Sequence, residues 1–215
     1  MNFEKHIDTI DRIMKDCAAK LAGLDAGIEA TRKDIDERKR FGTVSPAQLA
    51  VLKEELEAAE VKYREDTAAV IAAAKQAAQE AGSALEKEAG DFAAVHPEDV
   101  DAATVALLNA GIVEGDDLVR LVNENGENVT MLRLLCAQAE RLMEDNTTAR
   151  ALVAQIKAFV SPEARLSVFD GAMLNAHIGA GGDLLNIALE AWEGGIYQKY
   201  RAEMQQLNRF TFSGE

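Results

Sequence analysis

Residues 3–35, FEKHIDTIDRIMKDCAAKLAGLDAGIEATRKDI, decide the fold. Phe3, Ile7, Ile10, Met14, Cys17, Leu21, Leu24, Ile28, Thr31 and Ile35 fall at alternating steps of four and three. An α-helix turns once in about 3.6 residues, so only a seven-residue repeat of apolar positions keeps one stripe facing one partner over that length. The spacing predicts a first helix over about Asn2–Arg40 whose seam needs a partner helix. Phe3, Ile7, Ile10, Met14, Leu21, Leu24, Ile28 and Ile35 are the expected interaction residues. Thr31 and Cys17 on the seam, and Gly23 and Gly27 within the helix, weaken it, the glycines by about 1 kcal/mol each relative to alanine.

The cluster DERKR followed by Phe41 and Gly42 ends this helix, with basic side chains at its negative end and Gly42 as the C′ residue. Ser45 is a good N-cap and Pro46 a good first helical residue, because proline lacks an N–H that the first turn leaves unpaired anyway. Gly42–Ser45 therefore reads as a tight turn into a second helix reaching about Ala89. Its seam, Leu49, Leu52, Leu56, Ala59, Tyr63, Val70, Ala73 and Ala77, is interrupted by Asp66 and Glu80. Folded back as an antiparallel hairpin with equal rise, it sets Ile35 against Leu52, Leu24 against Tyr63 and Met14 against Ala73.

Gly90–His96 breaks the pattern, and Pro97 with Glu98, Asp99 and Asp101 opens a run of short helices. These are expected at Pro97–Ala110, Gly115–Asn123, Val129–Glu144 behind an Asn128 cap, Thr147–Val160 and Pro162–Ile178. A last helix, Asp183–Leu207, follows the glycines at 179–182 and bends at Gly194–Gly195. The expected fold class is all-α: a helical hairpin or coiled coil over 1–92, a multi-helix domain over 93–209, and a flexible tail over 210–215 carrying two exposed aromatics, Phe210 and Phe212.

Composition agrees with helix: three prolines, 5% aromatic residues and many alanines. The net charge of −14 is uneven, with 14 basic and 19 acidic groups before residue 97 and 9 and 18 after it. Such a field repels nucleic acid and anionic lipid and favours a protein partner. The stretch Lys199–Arg209 is the mild exception. Cys17 and Cys136 read as buried small hydrophobes of a reducing compartment rather than a disulfide. Neither a signal-peptide core nor a membrane span stands out, so a cytoplasmic, unanchored chain is expected.

No motif for chemistry emerges. His6, His96 and His177 lie in different segments without ligand spacing, and no metal or cofactor is expected. The glycine run before the last helix lacks both a preceding strand and a following Lys-Ser/Thr, so it is not a phosphate loop. Asp99, Asp101, Asp116 and Asp117 read as helix-start acids rather than a calcium loop. An enzymatic alternative places a cleft around His177, Asp183 and Trp192.

The segment VALLNAGIVEGDDLVRLVNENGENVTMLRLL, Val105–Leu135, resembles part of small helical proteins encoded among the structural genes of phages and prophages. The cues are Leu107-Leu108-x-x-Gly111, the Asp116-Asp117-Leu118 helix start, and Asn128 with Thr130–Leu134. An acidic, alanine-rich coiled coil joined to helices is also similar to phage scaffolding proteins. That resemblance implies a non-enzymatic capsid-assembly role, protein partners including self and capsid protein, homo-oligomerisation, and a place in the host cytoplasm or virion. The alternative is a helical adaptor or chaperone closed on itself and binding one protein partner.

Overall fold

The computed structural model describes residues 1–41, 44–144, 146–178 and 182–214, and the side chains of 41, 182 and 183 are outside that description. Every regular element among the described residues is helical. In order they are α1 (Glu4–Phe41), α2 (Pro46–Ala93), a 3-10 turn (Pro97–Asp99), α3 (Ala102–Asn109), α4 (Gly115–Glu124), α5 (Val129–Leu142), α6 (Thr147–Val160), α7 (Pro162–Ala176), α8 (Gly182–Ala191), a π-helical turn (Trp192–Ile196) and α9 (Tyr197–Gln206). The C′ role of Gly42 and the glycines at 179–181 lie outside the described residues. No helix among those described is long and apolar enough to cross a membrane.

The chain divides into two compact units, but not at residue 92. One holds Met1–Asp8, Ala81–Ala172 and Tyr197–Glu215; the other holds Thr9–Glu80 and Met173–Ile196. A division by position along the chain misses this because both long helices contribute to both units. The C-terminal helices are also shared out between them.

In the hairpin unit, Ser45 caps α2 as its sequence predicts. Gln48 N–H donates to Ser45 Oγ (3.3 Å), and Ser45 N–H donates to the Gln48 side chain (2.9 Å). Antiparallel pairing is fixed by Arg38–Glu55 (3.2 Å), Arg32–Glu60 (3.1 Å) and the Tyr63 hydroxyl donating to Asp25 (2.5 Å). Tyr63 thus lands one residue from its expected neighbour Leu24, whereas the two ion pairs reach further along α2 than equal rise places them. Ile10, Met14, Cys17, Leu21, Ile28 and Ile35 are buried, and Leu24 and Thr31 half-buried.

The second seam needs a correction. Ala73 is exposed and Ala77 half-buried, while Ala74 and Ala78 are buried. From Val70 the inward stripe runs Ala74, Ala78, Ala81, Leu85, Ala89 and Phe92, an eleven-residue period of four, four and three. A strict seven-residue repeat would bury Glu80; the extra step of four puts Ala81 inward and leaves Glu80 in solvent, sparing a carboxylate its desolvation. Towards the start of α2, Leu49 is 38% exposed and falls off the seam as well.

Beside α1 in the same unit, Leu185, Ala188 and Trp192 are buried, and Trp192 Nε1 donates to Asp11 (3.2 Å). The expected bend is where the glycines stand: Gly195 has φ 141°, a region L-residues with side chains avoid, and the helix restarts as α9.

The second unit is built from short capped helices. Asp101 caps α3 through Ala103 and Thr104, Asn128 caps α5 through Met131, and Asn146 caps α6 through Ala149. Its core includes Leu118, Val122, Met131, Leu132, Leu135, Leu152 and Ile156, each at most 1% exposed. Residues 210–214 are not a free tail. Phe210 is 5% exposed and its N–H donates to Gly126 O (2.8 Å), Phe212 N–H donates to the Asn123 side chain (2.8 Å), and Gln155 donates to Ser213 O. Three hydrogen bonds and a buried ring hold an apolar end that alternation alone would have left in water.

Candidate functional site

Of the eight expected interaction residues, Phe3, Ile7, Ile10 and Met14 are wholly buried, Leu21, Ile28 and Ile35 are buried, and Leu24 is half-buried, all within one chain. They form internal core rather than an open face.

The most constrained polar group was not singled out by sequence. Arg165, in the first turn of α7, is 0% exposed and has no carboxylate partner among the described residues. Its guanidinium lies 4.1 Å from the Phe92 ring, 4.6 Å from Phe3 and 5.1 Å from Phe159. Nη1 donates to Phe159 O (2.9 Å) and Ser161 O (3.4 Å), and Nη2 to Leu207 O (2.6 Å). Those carbonyls end α6 and follow α9, where unpaired C=O groups carry the negative end of the helix dipole. Burial lowers the arginine's pKa to about 10, so it stays cationic at neutral pH. Nε has no partner. Rings, edge to face at 5.4 Å for Phe3–Phe92 and 5.9 Å for Phe92–Phe159, and peptide dipoles offset part of the cost of burying the charge. A sealed cation of this kind clamps chain ends and offers nothing to a substrate. Its only sequence signal is that Arg165 precedes Phe169, Ala172 and Ala176 on one helical stripe.

Around it the first turns of the chain are stitched down. Phe3 N–H donates to the Asn208 side chain, Asn208 Nδ2 to Glu4, and both the Tyr197 hydroxyl and Arg201 Nε to Asp8. Glu88 accepts from Lys5 (2.7 Å) and His6 (2.9 Å). Burial pulls the Glu88 pKa upward, but the hydrogen bonds and charges of Lys5 and His6 outweigh it and hold it below 4.5. A carboxylate lowered on folding stabilises above its unfolded pKa and loses that contribution as pH falls through the folded value. E88Q is therefore expected to cost about 1 kcal/mol at neutral pH and to converge with wild type as the pH falls through the folded Glu88 pKa, read by urea unfolding across an acid-to-neutral pH series.

The other sequence candidates do not converge. Trp192 is fully buried against α1, His177 is exposed with φ 46°, and the Asp183 side chain lies outside the described residues. His96 Nε2 donates to Asp91 O (3.0 Å), a bond that raises its pKa. Asp101 accepts from Thr104 and caps α3, which lowers its pKa, and Asp117 pairs with Arg120 (3.1 Å). No group of three or more His, Cys, Asp or Glu is placed to hold a metal ion among the described residues. In the mildly basic stretch, Lys199 pairs with Glu203, Arg201 with Asp8 and Arg209 with Glu127.

What remains open is a helix face. Val51, Glu54, Ala58, Val61, Glu65, Ala68 and Ala72 form a second three–four stripe on α2, all exposed, with Val51 at 53% and Val61 at 44%. Glu54, Glu57, Ala58, Val61, Lys62, Glu65 and Asp66 line a shallow groove of 630 Å³ there. The same spacing that marks the inner seam marks this one, but the stronger inner pattern hides it.

Comparison of the chain with protein-family models, with curated proteins and with solved structures gives no match.

Proposed function

We propose that the chain is a non-catalytic helical module that binds another protein, its coiled-coil seam being closed within the chain. The observation that carries this reading is the complete burial of Phe3, Ile7, Ile10 and Met14 in a single copy. A seam already covered offers a second chain no apolar surface along that seam, and so supplies no driving force for association through it. Recognition then falls to outer faces, where apolar residues stand in solvent.

The capsid-assembly form of the proposal takes its support from the Val105–Leu135 resemblance. It requires self-association and a capsid-protein partner, in a host cytoplasm or a virion. A basic C-terminal hook of the kind scaffolding proteins use would need cations that here are engaged by Glu203, Asp8 and Glu127. That favours the partner-binding form.

Light scattering after size exclusion, from micromolar to near-millimolar chain, tests it. The closed module elutes at its monomer mass of 23.2 kDa throughout. A dimer or larger species growing with concentration would overturn the closed module and restore assembly through the hairpin.

A further inference from the structure

We infer that the outer face of α2, centred on Ala58 and Val61, docks a basic amphipathic helix of a protein partner; the inference rests on the protein-binding reading above. α2 is apolar on two opposite sides. One side packs on α1, and the other carries Val51, Ala58, Val61, Ala68 and Ala72 at coiled-coil spacing with nothing covering them.

Charge selects the occupant. On the hairpin, Glu55 pairs with Arg38, Glu60 with Arg32 and Arg64, and Asp34 with Arg38. Glu54, Glu57, Glu65 and Asp66, which ring Val61, make no ion pair among the described residues, and Lys62 is the only cation lining the groove. Glu54 and Glu65 sit on the stripe itself, eleven residues or three turns apart, which is about 16 Å along the helix.

A second copy using the same face would bring these carboxylates against their own counterparts, in a chain of net charge −14. Like charges at the centre of a helix pair oppose association. A helix with small or aliphatic residues every third and fourth position and Lys or Arg beside them answers both features. It covers the valines and supplies the missing cations.

The test uses the full chain and two fluorescent 21-residue helical peptides with one shared Ala/Val seam, one flanked by lysines and one by glutamates. Anisotropy is expected to show the lysine peptide binding at least about tenfold tighter than the glutamate peptide, and weakening as salt rises. E54K/E65K and, separately, V61E should each reduce lysine-peptide binding about tenfold or more. E86K/E144K, which changes net charge equally at exposed positions elsewhere, should leave it within about twofold. Circular dichroism confirms that each variant stays helical.

Equal loss in E86K/E144K would reduce the effect to bulk charge and overturn the inference, as would absence of binding. Binding unaffected by E54K/E65K would place the partner elsewhere and overturn the face while leaving protein binding intact. A mass increase without peptide that V61E abolishes would make the occupant a second copy and also overturn it. Failure of the closed-module reading shows separately, as self-association in the absence of V61E sensitivity.

Discussion

Arg165→Ala is expected to lower folding stability by about 4 kcal/mol, and Arg165→Met by only about half as much. Truncation to alanine removes the guanidinium from between the rings of Phe3, Phe92 and Phe159 and leaves a cavity. It also strands the carbonyls of Phe159, Ser161 and Leu207, each costing about 1–3 kcal/mol where water cannot reach it. Methionine strands the same carbonyls but fills most of the volume and relieves the desolvation of a buried cation that has no carboxylate. Lysine keeps the charge yet cannot fork between Leu207 O and Phe159 O, and is expected to resemble alanine more than methionine. Urea unfolding of the three variants gives the order. If methionine proves as costly as alanine, charge and hydrogen bonding hold the chain ends together, and ring packing is secondary.

That clamp marks where sequence reasoning stops. The helices themselves were legible because each has a local cause: heptad spacing in α1, Ser45-Pro46 opening α2, Asn128 opening α5, and Ser161-Pro162 closing Thr147–Val160. The bend at Gly195 was legible for the same reason. Arg165 was not, because its partners come from positions 3, 92, 159, 161 and 207 and a one-dimensional pattern reads arginine as solvent-facing. The inner stripe of α2 went wrong by one residue where alanines are so dense that Ala73 and Ala74, or Ala77 and Ala78, fit equally well until Glu80 must be placed. The outer stripe obeyed the right rule and was missed because one face per helix is the ordinary expectation. The units escaped prediction because the first eight residues pack with helices some two hundred positions away.

The docked C-terminus is the sharpest instance, and Gly126→Ala should expose it, with a loss of about 3 kcal/mol. Gly126 needs no unusual dihedral; it needs to have no side chain. A Cβ there would overlap the Phe210 carbonyl oxygen and crowd Arg209 Cγ at 3.1 Å. An arginine stem can swing aside, but the carbonyl belongs to the backbone that also donates Phe210 N–H to Gly126 O (2.8 Å). Relief therefore means lifting the segment. Lifting it withdraws the Phe210 ring from its edge contact with Phe159 (5.4 Å), which is itself one wall of the Arg165 cage, and releases Phe212 from Asn123. The alanine variant should show fast amide exchange and early proteolysis confined to residues 208–214 at temperatures where α4 and α5 remain protected. Removing residues 210–215 should cost a similar amount, and adding Gly126→Ala to that truncation should cost almost nothing more, because both act through one contact. Additive losses would instead mean that Gly126 matters to the α4–α5 turn itself, and that the tail is a passenger.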